Sequence, residues 1–236
     1  MKDANSDKST TEEALNKAES IIDLAFKKYC LVKSDHEDKS FYDLSKILVA
    51  FNGGKDCTLM LHLILRRANQ ISLSRGKLRV MYIREPQGET FPEVQDFVEE
   101  TKTEFGLESI EVANGDMRGG LEKIVRDHPE VEAIFMGTRW TDPNAGWMDY
   151  FCKTSPGWPQ VDLVAPILRM SYTDLWSLIH QLNVKYCSLY KKGYTSIGSV
   201  SDTVPNPELR CEDGGYLHAD QLKDGSLERL GRRKKP

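Results

Sequence analysis

Hydrophobic and polar positions follow one another along this chain in blocks that predict short strands separated by helices. The run Lys46-Ile-Leu-Val-Ala-Phe51 has the length and the continuous apolar character of a strand buried on both faces. Further strands are predicted at Leu78–Ile83, Ser109–Ala113, Glu132–Met136 and Leu163–Pro166. Strands that alternate with helices predict a doubly wound α/β fold with a mostly parallel sheet, whose ligands lie at the carboxyl ends of the strands.

Helical patterns fill most of the chain between these strands. Residues 11–32 carry apolar side chains at helical spacing, and residues 56–70 form a second such segment directly after a glycine turn. Capping signals predict three more helices: Thr90-Phe-Pro-Glu93 opens one to about Phe105, Asp116 one to Arg126, and Ser171-Tyr-Thr-Asp174 one to about Leu182.

Other stretches lack a regular period. Residues 1–10 are predicted to be disordered, and the pattern fades after Lys185. Residues 140–161 form a long loop, and its tryptophans (Trp140, Trp147 and Trp158) favour a functional role for it. We expect three parts in one compact unit: an N-terminal segment and helix (1–45), a Rossmann-like nucleotide-binding domain (46–182) and a C-terminal extension that completes the site (183–236).

Composition narrows the function classes. The chain has 236 residues, of which 39% are hydrophobic and 29% charged, as is typical of one soluble globular domain. Its five cysteines form no CxxC pair, which indicates free thiols rather than a zinc site or a disulfide framework. The N-terminal residues show neither a secretory signal nor a transit peptide, so a cytoplasmic location without membrane contact is expected.

The net charge of −4 argues against nucleic-acid binding. The exception is the tail from Arg229 to Lys235, which contains five basic residues. Such a tail is either a solvated surface segment or a phosphate-binding element. On a helix, Arg229 and Arg232 would share one face and could clamp a phosphate together.

The segment with the clearest chemistry is Phe51-Asn-Gly-Gly-Lys-Asp-Cys-Thr58, which joins the buried strand to a helix. Glycines let the backbone approach a phosphate, and the N–H groups of a helix N-terminus favour anions. Asn52 and Lys55 add donors, whereas Asp56 would repel a phosphate and is better suited to Mg²⁺. The segment is not a Walker A loop, because G-x-x-x-x-G-K-[ST] is absent.

This segment resembles the PP-loop, usually SGGxDS, of enzymes that cleave ATP between the α and β phosphates. Its Asn and Cys variant is similar to the loop of the eukaryotic FAD synthetases. Other segments also resemble that family: Gly137-Thr-Arg-Trp-Thr-Asp-Pro143, Trp158-Pro159, Tyr172–Trp176, Tyr186–Tyr190, Gly193–Gly198, Pro205-Asn-Pro207 and Glu228-Arg-Leu-Gly-Arg232. The resemblance implies an FMN adenylyltransferase, which uses ATP and Mg²⁺ to convert FMN into FAD and pyrophosphate. We also expect a monomer that transfers FAD to apo-flavoproteins.

The resemblance also implies roles for individual residues. ATP binding is implied for Asn52, Gly53, Gly54, Lys55, Ile83, Gly137 and Arg139, with Asp56 placing the metal. Flavin binding is implied for Arg139, Asp142, Ser155, Trp158 and Arg232. Catalytic roles are implied for Asn52, Asp56, Asp142 and Arg229. On the residues alone, Trp158 is equally well an ordinary core side chain, and Asp142 before a proline is a turn residue.

One position departs from the family pattern, which has Thr-Asp-x-x-Trp-Pro ahead of the flavin-binding tryptophan. Here the stretch reads Thr154-Ser-Pro-Gly-Trp-Pro159, so Ser155 stands where an aspartate is expected. Because serine has no charge and a shorter reach, we expect the affinity for FMN to be altered.

Two other functions fit parts of the pattern. A phosphoadenylyl-sulfate reductase would need a nucleophilic cysteine in a C-terminal ECGxH-type motif, and Arg210-Cys-Glu212 does not match it. A non-catalytic flavin or nucleotide-binding protein would bind nucleotide without releasing pyrophosphate.

Overall fold

The computed structural model describes residues 4–33, 40–71, 74–83, 89–112, 116–143 and 145–233. Its five helices are α1 (Ala4–Ala25), α2 (Lys55–Ala68), α3 (Pro92–Phe105), α4 (Met117–Asp127) and α5 (Tyr172–Gln181). Its nine strands are β1 (Leu31–Val32), β2 (Phe41–Asp43), β3 (Ile47–Ala50), β4 (Ser74–Arg75), β5 (Arg79–Ile83), β6 (Glu108–Val112), β7 (Ala133–Phe135), β8 (Phe151–Lys153) and β9 (Asp162–Val164). A π-helical turn, Phe26–Cys30, continues α1.

Six strands form the main sheet, in the order β6-β5-β3-β7-β9-β8. All neighbours are parallel except β8 and β9, which are antiparallel. The central strand β3 is fully buried at Ile47, Leu48 and Val49, which explains its continuous apolar sequence. The predicted α/β fold with a mostly parallel sheet is therefore confirmed.

Helices cover both faces of this sheet, but unequally. One face, which carries Val49 and Phe135, packs in a large core against α1, α2, α3 and α5. The other face, which carries Leu48 and Ile134, packs in a smaller core against Leu121 and Ile124 of α4. The second face thus has much less helical cover than the first.

The five predicted strands of the main sheet are all present, with ends that differ by one or two residues. Two of the predicted caps are also confirmed, because the side chain of Asp116 accepts from the N–H of Gly119 and that of Ser171 from the N–H of Asp174. The capping box at Thr90 is wrong. Phe91 is the N-cap of α3 and makes no side-chain cap bond, and Pro92 fills the first turn, where a missing N–H costs nothing.

The N-terminal prediction needs a correction. Helix α1 begins at Ala4, so residues 4–10 are helical rather than disordered. The buried turns from Ala18 to Ala25 anchor the helix, and extending an existing helix adds one hydrogen bond for each residue ordered. Farther along, the Thr11 hydroxyl lies 2.9 Å from an Asp174 carboxylate oxygen, which ties α1 to α5.

Short strands account for most of the remaining differences. The loop predicted for residues 140–161 contains β8, which exists because its backbone pairs with β9. Strands β1, β2 and β4 form a separate small sheet that no sequence period indicated. From Lys185 to Arg233, the last described residue, the chain forms short 3-10 helices, turns and two isolated β-bridges, as the fading pattern suggested. None of the helices in the described stretches has the length and apolar character needed to cross a bilayer.

Candidate active site

The connections of the sheet locate a crevice beside β3. From β3 the chain continues to β5 and β6 on one side, and β7 and β9 lie on the other. In such sheets, ligands bind outside the carboxyl ends of the strands at the point where the order reverses. The loop after β3 (residues 51–54) and the loop after β7 (residues 136–143) border this crevice.

The glycine loop after β3 has a defined internal geometry. Gly53 has a φ of 77°, and a Cβ there would lie 3.0 Å from the Val98 side chain, so both conformation and space favour glycine. The Asn52 Oδ1 accepts from the N–H of Gly54 (3.0 Å) and from the thiol of Cys57 (2.9 Å). Because the side-chain oxygen of Asn52 accepts these bonds within the loop, the NH₂ group of the same side chain is the part that can donate to a ligand.

The two loops approach each other closely at Gly137. A Cβ on Gly137 would lie 2.8 Å from both the N and the Cα of Cys57, in the first turn of α2. No real side chain tolerates that distance to a backbone. Glycine at this position therefore lets the β7 loop pack directly on the start of α2.

Below the glycine loop lies a closed ring of four charged side chains. Asp56 pairs with the ammonium of Lys55 at 2.9 Å and with the guanidinium Nε of Arg139. Glu228 accepts from Nη2 of Arg139 at 2.6 Å, and its other oxygen lies 3.4 Å from the Lys55 ammonium. Each carboxylate thus contacts both cations, and the four formal charges sum to zero.

This ring is buried except at one member. The side chains of Lys55, Arg139 and Glu228 are 3%, 1% and 4% exposed, whereas that of Asp56 is 23% exposed. Burial alone would raise the pKa of Asp56, but the charges of Lys55 and Arg139 and their hydrogen bonds outweigh it, so the pKa lies below its ordinary value. Asp56 is therefore an ionised carboxylate and the only ring member open to a ligand.

The C-terminal segment reaches the glycine loop a second time through Tyr190. Its hydroxyl accepts from the backbone N–H of Lys55 at 2.7 Å, and the tyrosine is 1% exposed. Burial raises the pKa of Tyr190 well above its ordinary value, so the hydroxyl stays protonated. One of the helix N-terminal N–H groups expected for phosphate is thus already occupied by a protein group.

Asp142 lies in a turn and also faces Arg229. Its carboxylate accepts from the N–H of Arg139 at 2.9 Å, and its own N–H donates back to the Arg139 carbonyl. The other carboxylate oxygen lies 3.6 Å from the Arg229 guanidinium, whose side chain is 37% exposed. The turn interpretation and the proximity to Arg229 are therefore compatible.

Arg232 does not share a helical face with Arg229. Residues 225–233 form a 3-10 turn (Gly225–Leu227) followed by further turns, so within this described stretch the helix considered for the two arginines is absent. The Arg232 guanidinium donates to the carbonyl of Ile197 (3.2 Å) and pairs with Asp202 (3.3 Å). Lys234 and Lys235 of the basic tail lie outside the described residues.

Ser155 and Trp158 belong to one tight turn. The N–H of Trp158 donates to the carbonyl of Ser155 at 3.0 Å, with Pro156 and Gly157 between them and a φ of 82° at the glycine. Proline followed by a glycine of positive φ is the signature of a type II turn. The turn holds Trp158 half-buried, so its indole is neither fully core nor fully exposed.

Trp158 belongs to a group of half-buried apolar side chains on the face of the sheet that α4 covers incompletely. We call this group the α4-side patch, and its members are Ala50, Met136, Trp158 and Leu163. Ala50 and Met136 are the residues that end β3 and follow β7, so the patch reaches the crevice. Ile83, at the end of β5, is 6% exposed and packs against Gly120 of α4 instead.

Comparison with known proteins agrees with this architecture. Residues 46–122 and 118–205 match the phosphoadenosine phosphosulfate reductase domain. A probable FAD synthase of Schizosaccharomyces pombe is 39% identical over 196 residues, which is 81% of this chain and 73% of that protein. The chain belongs to the FAD synthases of this domain family. A probable FAD synthase of Caenorhabditis elegans is 34% identical over 93% of this chain, which spans 40% of that longer protein.

A solved structure is also similar over the whole chain. The FMN adenylyltransferase of Candida glabrata has a TM-score of 0.85 and 26% identity, covering 100% of this chain and 92% of its own. The same enzyme in complex with FMN and the ATP analogue AMPCPP has a TM-score of 0.82, covering 98% and 93%. The resemblance read from the motifs is therefore confirmed.

Two residues at the site had no role in the sequence analysis. Glu228 heads the Glu228–Arg232 segment, and Tyr190 ends the Tyr186–Tyr190 segment. The motifs marked both positions, but their partners (Arg139 and Lys55) lie far away in sequence. Only the tertiary structure identifies them as parts of the site.

Proposed function

We propose that this protein is an FMN adenylyltransferase, which transfers AMP from ATP to the phosphate of FMN and gives FAD and pyrophosphate. The observation that carries the proposal is the chain of contacts around one crevice. Asp56 follows the glycine loop in sequence and forms an ion pair with Arg139. The backbone N–H of Arg139 donates to Asp142, whose carboxylate faces Arg229. This arrangement brings a phosphate cradle and an accessible arginine to the same edge of the sheet.

The phosphates of ATP bind at the glycine loop. The NH₂ edge of Asn52 and the backbone N–H of Gly53 supply donors there, at the N-terminus of α2, where anions are favoured, whereas the N–H of Gly54 already donates to Asn52. Lys55 contributes from below, because its ammonium is buried against two carboxylates. The charge of Lys55 therefore acts on the glycine loop as one of the four charges of the ring.

A divalent cation suits this site. Mg²⁺ prefers oxygen ligands and is commonly held by one or two carboxylates together with substrate phosphates. Asp56 offers one ionised, partly exposed carboxylate, and no cluster of three or more metal-ligating side chains occurs among the described residues. Asp56 would hold Mg²⁺, which would neutralise charge on the phosphates when bound.

The flavin ring has an apolar surface available in the α4-side patch. An aromatic ring system gains most from flat apolar and aromatic neighbours, which Trp158 and Met136 provide. Ser155 lies three residues before Trp158 in the same turn, so a change there acts next to the flavin. Arg232 contributes to flavin binding only if its contacts with Asp202 and Ile197 rearrange.

In the reaction, an oxygen of the FMN phosphate attacks the α-phosphorus of ATP. The bond from that phosphorus to the oxygen bridging to the β-phosphate breaks, and pyrophosphate leaves with the bonding electrons. No covalent enzyme intermediate is required, since the nucleophile is already an anion. The protein must bring two anions together and stabilise the leaving group. Arg229 suits the second task because its pairing with Asp142 is loose, at 3.6 Å.

One incubation tests the proposal. The purified protein is mixed with ATP, FMN and Mg²⁺, and the products are separated by HPLC for FAD and assayed for pyrophosphate. We expect FAD and pyrophosphate in equal amounts, and neither after chelation of the metal. Nucleotide binding without FAD would instead favour the non-catalytic binding protein and would refute the proposed activity.

A second experiment tests the role of Arg229. Arg229→Ala should lower kcat about 100-fold, on the order of the loss of one preorganised charge-stabilising group. The matched control is Arg210→Ala, an exposed arginine of the same C-terminal segment, which should leave kcat unchanged. Equal rates for both variants would remove Arg229 from the mechanism.

A third experiment addresses the flavin. Ser155→Asp restores the carboxylate of the family pattern, and the change should alter the KM for FMN more than the KM for ATP. Identical FMN constants in the two proteins would show that position 155 does not contact the flavin.

We also propose a cytoplasmic location and a monomer that hands FAD to apo-flavoproteins. The small-molecule part of this proposal, binding of ATP, FMN and FAD, is supported by structures of the similar Candida glabrata enzyme in complex with ATP, with FMN and an ATP analogue, and with FAD and pyrophosphate. Size-exclusion chromatography with light scattering tests the monomer, and FAD transfer to an apo-flavoprotein tests the delivery.

A further inference from the structure

We propose that Glu228 is a positioning residue for adenylyl transfer, which holds Arg139 and Lys55 so that the Asp56 carboxylate keeps a fixed place below the glycine loop. The inference rests on the proposed function for its kinetic part, and on contacts within this chain for its structural part. Glu228 itself is 3% exposed and lies too deep to touch a substrate, so it acts through its neighbours.

The ring joins three parts of the chain. Lys55 and Asp56 open helix α2, Arg139 lies in the loop after β7, and Glu228 belongs to the C-terminal segment. Glu228 is the only one of the four from that segment. Its two oxygens contact Arg139, and one of them also faces Lys55, so a single carboxylate connects both loops of the crevice.

The backbone of Glu228 is fixed as firmly as its side chain. Its carbonyl accepts from the hydroxyl of Thr195 at 2.6 Å. That hydroxyl accepts in turn from the side-chain amide of Asn206 at 2.9 Å, and the same amide also donates to the carbonyl of Leu227 at 2.9 Å. Thr195 and Asn206 are 1% and 0% exposed. These bonds hold Glu228 in one position, and its carboxylate in turn holds the groups that it binds, Arg139 and Lys55.

The consequence for Asp56 follows from how the charges are shared. With Glu228 present, each of the two cations contacts two carboxylates, Asp56 and Glu228. Without its charge, Arg139 and Lys55 would both turn to Asp56, their only remaining anion in the ring. Asp56 is the ring member that reaches solvent. A shift in the position of its carboxylate would therefore also change how it binds a ligand.

The kinetic test compares three variants. Glu228→Gln keeps the shape and removes the charge, and it should lower kcat about 100-fold with little change in KM, as a misplacement of about 1 Å at a reacting centre does. Glu228→Asp keeps the charge and should recover part of that loss. Glu208→Gln changes an exposed glutamate of the same segment and should behave as wild type.

A spectroscopic test does not depend on activity. The Nε–H of Arg139 donates to Asp56 inside the buried ring and should give a slowly exchanging ¹⁵N–¹H signal, assigned by its absence in Arg139→Lys. In Glu228→Gln this signal should shift and exchange faster, while Glu208→Gln leaves it unchanged. If the wild-type protein makes no FAD, the proposed function fails, but this measurement still tests the positioning.

Unfolding curves separate positioning from stability, because all kinetics are measured where each variant is fully folded. The proposal is supported by a fall in kcat of folded Glu228→Gln, with partial recovery in Glu228→Asp and a changed Arg139 signal. It is overturned if folded Glu228→Gln keeps wild-type kcat, or if its Arg139 signal is the same as in the wild type.

Discussion

Replacing Arg139 with methionine tests whether the ring of Lys55, Asp56, Arg139 and Glu228 stabilises the fold as a neutral unit. Methionine keeps an unbranched stem, is shorter and has no charge, so the variant removes one cation and leaves the buried ring with a net charge of −1. The arginine is 1% exposed and contacts both carboxylates, so neither water nor another cation replaces it without rearrangement.

The expected loss is about 3–5 kcal/mol of unfolding free energy, the cost of removing one partner from a buried ion pair. We expect the lower end of that range. Lys55 remains beside both carboxylates, and Asp56 can turn towards solvent because it is already 23% exposed. Domains of this kind have about 5–15 kcal/mol of stability, so the variant should still fold.

Urea unfolding at pH 7, followed by circular dichroism, measures the change. The control is Arg118→Met, which breaks an exposed pair with Glu122 on α4 and should cost no more than about 0.5 kcal/mol. A double variant, Arg139→Met with Glu228→Gln, returns the ring to zero net charge. Its loss should be smaller than the sum of the two single losses by about 1–3 kcal/mol.

Two results would refute this reasoning. A loss below about 1 kcal/mol in Arg139→Met would mean that the paired carboxylates do not depend on the arginine, contrary to the cost of a buried unpaired charge. Strict additivity in the double variant would mean that Arg139 and Glu228 do not act as a pair, despite the contacts between them.

Three further predictions concern stability and the approach of the two loops. Asp162→Asn should cost about 2 kcal/mol at pH 7, because burial of that carboxylate is outweighed by hydrogen bonds that lower its pKa from 3.8 to about 2. A lowered pKa stabilises the fold above the unfolded value, so the difference should fade as the pH drops from about 4 to about 2, and a difference in urea unfolding that is independent of pH would contradict the assignment. Tyr190→Phe leaves the first N–H of α2 without its acceptor and should cost about 1–3 kcal/mol in the same assay, whereas no loss would mean that water replaces the hydroxyl. Gly137→Ala should cost about 1–3 kcal/mol and slow FAD formation, because its Cβ meets backbone at 2.8 Å. In the control, Gly146→Ala, the added Cβ meets no atom of the described residues within 4 Å beyond the two adjoining residues, so both properties should be unchanged.

The sequence by itself determined the class of fold and the place of its site. A strand buried on both faces needs a continuous apolar run, and Lys46–Phe51 has one, so β3 could be predicted to within a residue. The glycine turn after it was equally readable. Gly53 adopts a φ of 77°, and few residues other than glycine accept that conformation.

The N-caps of helices could be predicted from the sequence only where a side chain makes the capping hydrogen bond. Asp116 and Ser171 each accept from a backbone N–H three residues on, which is a local interaction that sequence can specify. The box at Thr90 failed because Phe91 takes the N-cap position of α3. Phe91 is 8% exposed, so burial of its ring, rather than a capping bond, sets the start of this helix.

The tertiary structure alone decided how the charges of the site are arranged. The positions of Lys55, Asp56, Arg139 and Glu228 could be read from their motifs, but the ring they form joins residues up to 173 positions apart. The same holds for β8, which has no pattern of its own and becomes a strand by pairing with β9. Local sequence specifies backbone conformation and burial period, whereas contacts between distant segments depend on how the whole sheet assembles.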